Sequence, residues 1–365
     1  MTSVNASGGV YWTERQPPLN QGQGNRIMSA AQVQKWGVLY NGDVLAIDDM
    51  LHFSSLADAA GADSIWTAEG WRDAFVPLTA MAAVAKRVRV GTAIAQMARP
   101  PVLTALSALS MAEYSGRRFV LGVGTAPRDW NNNWHGFDVP RPVARIREYI
   151  ECIRRVWTAT PTAPVSYTGS YYKVQGYVPF LAPPVPDVQI YLAGVNPRMI
   201  ALAGSHAEGV ILGPLNSVGY VRDTVRPNLK KGMDRGGRKN CEVCLIRICA
   251  VNTDAMQARA MARHAIAFYS VLPYYDVVLT PLGFAPQALI IREAFARRDF
   301  AAMVEGVTDD MVSALAFAGT NDDVRSQARQ FEGLVDTLIL YSPYFGVGIE
   351  ETRANHSAML QIFAA

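Results

Sequence analysis

Cysteine is scarce in this chain, four among 365 residues, and that excludes a disulfide-stapled scaffold. Neither charge sign dominates: 34 basic and 31 acidic residues leave a net +3. With no basic tract and no acidic tail, nucleic acid is not an expected partner. No apolar run reaches membrane-spanning length, so no membrane partner is expected either. The first 28 residues lack a basic start followed by an apolar core. They do not read as a signal peptide, and a cytoplasmic location is the expectation. Residues 1–30 read as an arm, poorly ordered or packed on a partner subunit. Metal ligands are also lacking. Cys241 and Cys244 form a CxxC, but no second CxxC or nearby histidine completes a zinc site. The pair reads as the start of a buried strand, and no metal is expected. The basic cluster Lys230, Lys231, Arg235, Arg238 and Lys239 reads as a helix end entering a surface turn at Gly236-Gly237.

Apolar residues, by contrast, make up 50% of the chain, enough for a large core over a single domain at 31–365. Short apolar runs fall at 36–40, 62–67, 88–94, 118–123, 188–193, 208–212, 243–251 and 335–340, as doubly buried parallel strands should. Helical patterns lie between them at about 47–60, 74–86, 101–115, 140–157, 197–203, 217–232, 254–270 and 320–332, with a last one at 349–363. This alternation predicts an α/β fold, a (β/α)8 TIM barrel. A Rossmann sheet is disfavoured because Gly122-x-Gly124 lacks the third glycine of its fingerprint. Two stretches interrupt the alternation and are expected as insertions over the barrel mouth. One, at 158–187, contains the hairpin-like SYTGSYYKV; the other, at 271–319, reads as a lid.

The densest stretch runs from Arg118 to Trp157. A strand enters the turn Gly122-Val123-Gly124-Thr125. A polar loop rich in tryptophan and asparagine follows, and then an amphipathic helix. Val143, Ile146, Ile150, Ile153 and Trp157 place one face of that helix in the core. A long loop at the carboxyl end of a barrel strand is where binding residues collect.

Several segments together, in order and spacing, resemble the bacterial luciferase-like superfamily of TIM-barrel oxidoreductases. They are DSIWTAEGWRDAFVPLTAMAA (63–83), RVRVGTAIA (87–95), RRFVLGVGT (117–125), NWHG (133–136), RPVARIREYIE (141–151), IYLAGVNPRMIALAGSHAEGVI (190–211) and GLVDTLILYSP (333–343). The match is strongest to the deazaflavin-dependent branch, and it implies coenzyme F420 as cofactor. The function implied is hydride transfer between F420 and a small-molecule substrate. FMN is the alternative cofactor, in a two-component monooxygenase that would need a flavin reductase as partner. A non-catalytic flavin-binding member is a second alternative. A homodimer is also implied, and the small apolar residues of helices near 74–115 fit tight helix packing.

The resemblance further implies a site. Thr92, Ala93 and Ile94 would back the cofactor ring at a bulge, often a non-proline cis peptide. Gly124 and Thr125 would adjoin it. The amides of Ala193, Gly194, Val195 and Asn196 would meet a phosphate-bearing tail, as helix-start amides favour anions. Glu69 matches an acidic residue that faces ring or substrate. Asn132 stands where relatives carry a glutamate, so it can hydrogen-bond but not move a proton. His135 is the nearest titratable candidate. Trp71, Arg72, Trp130 and Trp134 would line the substrate side. Arg72 and Asp73 also admit a plainer reading, an exposed ion pair with Asp73 capping the following helix.

Overall fold

The computed structural model describes residues 34–41, 44–182 and 188–364; the expected arm at 1–30 lies outside them. The strands are β1 (Lys35–Tyr40), β2 (Ser64–Thr67), β3 (Arg89–Thr92), β4 (Ala95–Gln96), β5 (Phe119–Gly124), β6 (Val165–Thr168), β7 (Lys173–Tyr177), β8 (Gln189–Ala193), β9 (Gly209–Leu212), β10 (Glu242–Val251), β11 (Ala316–Gly319) and β12 (Thr337–Tyr341). A closed parallel ring runs β1, β2, β3 with β4, β5, β8, β9, β10, β12 and back to β1. Counting β3 and β4 as one interrupted strand gives eight staves, the (β/α)8 barrel expected. The interruption is a cis peptide at Ala93–Ile94. Strands buried on both faces need continuous apolar sequence; β2, β5, β9 and β12 are buried at every position.

Charged residues close the floor of the barrel, at the amino ends of the strands. The Arg89 guanidinium pairs with Asp63 and with Glu242, which also accepts from the hydroxyls of Tyr191 and Thr337. Cys241 and Cys244 are free and buried where β10 begins, as the strand reading required. Helix Arg226–Gly236 ends at Gly237, whose φ of +63° makes the turn.

The hairpin β6–β7 climbs the outer side of helix Pro142–Trp157. The Glu151 carboxylate accepts from the Tyr167 hydroxyl at 2.8 Å. One turn higher, the buried Glu148 accepts the amides of Ser170 and Tyr171 at 3.1 and 2.8 Å. Gly169 makes this possible, because a Cβ there would strike the Glu148 carboxylate. The hairpin tip is thus tied to helix Pro142–Trp157. Residues 271–319, expected as the second insertion, include helices Ala285–Ala296, Phe300–Glu305 and Asp309–Leu315 and end in β11, which extends the sheet beside the outer end of β10. The Tyr269 hydroxyl donates to the Tyr341 hydroxyl at the end of β12 (2.9 Å), and Tyr275 is buried. Among the described residues no helix is long and apolar enough to cross a membrane.

Candidate active site

The expected polar loop after β5 is in fact a short helix, Arg128–Trp134. The helix puts Trp130 and Trp134 on one face at i and i+4. Their rings stack at 4.5 Å and 21°, and Trp71 packs edge-on against Trp130 at 5.0 Å. All three tryptophans, expected on the substrate side, therefore pack against one another. Trp71 and Trp134 remain about half exposed.

Beside them lies a cleft of about 340 Å³ lined by Glu69, Gly70, Trp71, Arg72, Asp73, Gln96, Ala98, Arg99 and His135. That volume falls within the range of about 300–1,000 Å³ usual for small-molecule sites. Glu69, just past β2, is half-buried among the lining residues. Its carboxylate accepts from the Gln96 amide N–H and from Arg99, both at 2.8 Å. Burial pushes the Glu69 carboxyl above its ordinary value, against the opposing pull of the Gln96 N–H and Arg99. Arg99 also reaches Asp73 at 3.0 Å, and Asp73 caps the next helix through the Val76 N–H. The expected Arg72–Asp73 ion pair is thus replaced by Arg99–Asp73, while Arg72 bonds the carbonyl of Leu45. His135 is exposed, and its Nε2 lies 3.2 Å from Gln96 Oε1.

Asn132 does not join this cluster. It faces solvent on helix Arg128–Trp134, and its neighbour Asn131 is the amide held inward. Asn131 Nδ2 donates to the carbonyls of Thr125 and Pro127, and its buried Oδ1 has no partner among the described residues.

Ile94 and Gly124, expected near the ring, pack together with Ala193, expected at the tail. A Cβ built on Gly124 would lie 2.6 Å from Ile94 Cδ1 and 3.2 Å from Ala193 Cβ, so the ends of β3, β5 and β8 share one small-residue wall. Thr92 is buried beneath it, its hydroxyl on the Gly122 carbonyl. Thr125, at the β5 exit, receives Asn131. The amide set after β8 needs correcting. The Gly194 N–H is taken by Ile211 O, and Asn196 Oδ1 caps the helix through Met199 N. The amides of Val195, Asn196 and Arg198 have no acceptor among the described residues. Arg198 is exposed, and Arg145 Nη1 donates to the Asp138 carbonyl at 3.0 Å. Arg145 also lies over Phe137, 5.1 Å from the ring centroid.

Gln96, Arg99, Asn131, Arg145 and Arg198 escaped the sequence reading. The one available signal was a glutamine and an arginine breaking the apolar run AIAQMARPP at a strand exit. Unpartnered buried atoms lie near the same strand ends: Asn131 Oδ1 and Arg99 Nε. Such atoms call for a ligand or water. Together with the small-residue wall, they fit a flat cofactor with polar edges.

A family model described as luciferase-like monooxygenase matches residues 25–338. The chain is 27% identical over 308 residues to a Mycobacterium tuberculosis protein named for coenzyme F420-dependent oxidoreduction, covering 78% of this chain and 87% of that one. It is 28% identical over 307 residues to the 5,10-methylenetetrahydromethanopterin reductase of Methanolobus tindarius, covering 82% and 91%. Among solved structures, the coenzyme F420-dependent tetrahydromethanopterin reductase of Methanopyrus kandleri superposes with a TM-score of 0.74 at 22% identity. That superposition spans 90% of this chain and 99% of the other.

Proposed function

This chain belongs to the luciferase-like monooxygenase family of enzymes, and from that premise we propose that it is a coenzyme F420-dependent oxidoreductase acting on a small molecule. The observation that carries the reading is the shared wall of Ile94, Gly124 and Ala193 beside a cleft whose polar groups are already organised. Relatives named for F420 support the deazaflavin over FMN. When bound, the deazaflavin supplies a carbon centre that takes or gives a hydride.

The chain's own residues would do the rest. Ala93, Ile94, Gly124 and Thr125 form the surface for the ring, with Thr92 buried beneath them as support. The free amides of Val195, Asn196 and Arg198, with the Arg198 and Arg145 guanidinium groups, suit an anionic tail. Trp71, Trp130 and Trp134 shield the cleft from water and stack a substrate at reacting distance. Glu69, committed to Arg99 and Gln96, is fixed among the lining residues, and His135 is the cleft group able to hold or release a proton. Asn132 is left as a polar contact at the rim. A homodimer belongs to the same reading. Val76, Leu103, Leu106 and Tyr114 expose apolar surface on neighbouring helices Phe75–Val84 and Pro101–Tyr114, in support of it.

The test is a fluorescence titration of the purified protein with F420 and, separately, FMN. Micromolar or tighter F420 binding, at least about tenfold stronger than FMN binding, is expected. The reverse preference would transfer the assignment to an FMN monooxygenase served by a flavin reductase. Binding of neither would refute the cofactor site.

A further inference from the structure

We infer that Gln96 is a positioning residue that fixes the tautomer of His135, leaving Nδ1 as the lone-pair nitrogen of its imidazole. The argument begins at the backbone. Gln96 ends β4 and is 3% exposed. Its Nε2 lies 2.8 Å from the carbonyl oxygen of Glu69. A carbonyl oxygen only accepts, so the amide nitrogen must be the atom facing it, and the two ends of the glutamine cannot be exchanged. Oε1 is then turned toward His135 Nε2, 3.2 Å away. An amide oxygen also only accepts, so Nε2 must carry a hydrogen. In the neutral imidazole the remaining nitrogen, Nδ1, then holds the lone pair.

The glutamine cannot easily turn to offer the opposite polarity. Its own N–H donates to Glu69 Oε2, Glu69 Oε1 is held by Arg99, and the Glu69 N–H donates to Ile94 O. The following residue bonds Gly124 O through the Met97 N–H. Backbone bonds at three strand ends therefore hold Gln96 in place, the Glu69 carbonyl orients its side-chain amide, and that amide dictates which imidazole nitrogen holds the lone pair.

The titratable and charged groups facing His135 across the cleft are Glu69, Arg72, Asp73 and Arg99. Glu69 and Asp73 are both engaged by Arg99, and Arg72 is engaged by Leu45 O. His135 Nδ1 is left as a neutral nitrogen acceptor beside carboxylates already held by Arg99. In a proton transfer the O–H or N–H bond of a substrate breaks, an Nδ1–H bond forms, and the ring becomes an imidazolium still donating Nε2–H to Gln96. The catalytic meaning rests on the reading of this cleft as the active site; the tautomer itself does not.

The experiment uses the full-length ¹⁵N-labelled protein without cofactor or substrate. Long-range proton–nitrogen correlation above the imidazole titration range reports which nitrogen is protonated, and the His135 peaks are identified by their loss in His135→Asn. A single Nε2–H tautomer with an exchange-protected Nε2 proton is expected. In Gln96→Met, which keeps the length but removes both bonds, the protected proton should disappear. The two nitrogen shifts should also move toward each other as the tautomers mix. A predominant Nδ1–H form in the wild-type protein would overturn the inference even if the variant does not fold. So would a folded Gln96→Met protein with an unchanged tautomer and a retained Nε2 proton. An F420 titration of the same wild-type sample separates this failure from failure of the cofactor assignment.

Discussion

Replacing Glu242 by glutamine should remove much of the acid sensitivity of this barrel. Burial alone would raise the Glu242 pKa. The Arg89 guanidinium and the hydroxyls of Tyr191 (2.6 Å) and Thr337 (2.7 Å) overcome that and bring it from 4.5 down to about 2. In the unfolded chain the carboxyl returns to its ordinary value. Between those two pH values the unfolded state therefore binds more protons than the folded one. The stabilisation is complete above about pH 5 and is lost as pH falls toward 2. At 1.36 kcal/mol per pH unit the full contribution is about 3 kcal/mol. Glu242→Gln leaves Arg89 its Asp63 partner, so the variant does not strand a buried cation. Urea unfolding of both proteins should show a gap of about 3 kcal/mol near pH 7 that closes progressively toward pH 2. Parallel stability curves, with the gap unchanged between about pH 6 and pH 3, would show that the floor network does not hold Glu242 ionised, and the reasoning would fail.

His356 should act on stability in the same direction by a different route. Burial depresses its imidazole to about 3, and neither ring nitrogen has a partner among the described residues. The folded form stays neutral while the unfolded form charges below about 6.5, so His356→Phe should recover about 3 kcal/mol at pH 4 relative to its own value at pH 7. Urea midpoints at the two pH values measure this, and an unchanged pH dependence counts against it. Gly124→Val should weaken F420 binding at least about tenfold by filling the wall between Ile94 and Ala193; unaltered fluorescence titration of a folded variant would place the ring elsewhere. Glu148→Gln removes the charged acceptor of the Ser170 and Tyr171 amides, whose hydrogen exchange should accelerate about tenfold or more. Equal exchange rates would mean that the hairpin tip is held by other contacts.

Local pattern was enough for much of this molecule. Strand and helix positions, the fold class and the family resemblance are all carried by short-range periodicity and ordered segments. A buried parallel strand such as Phe119–Gly124 must be apolar throughout, and the helix face from Val143 to Trp157 must repeat at 3.6 residues. Helix Arg128–Trp134 escaped because seven residues rich in asparagine and tryptophan carry too little periodicity to be told from a loop. What only the tertiary structure decided is who meets whom. Arg99 is 30 residues from Glu69 and Gln96 is 39 from His135. No local propensity encodes either pairing. Closure of the barrel brings the exits of β2, β4 and β5 to one rim, and there Asp73 chooses Arg99 over the adjacent Arg72. It also decided that Asn131 turns inward and Asn132 outward, because a single helical step separates the two by about 100°. Sequence determined which segments could form the rim; ring closure determined which polar atoms are committed there, and which remain open for a substrate.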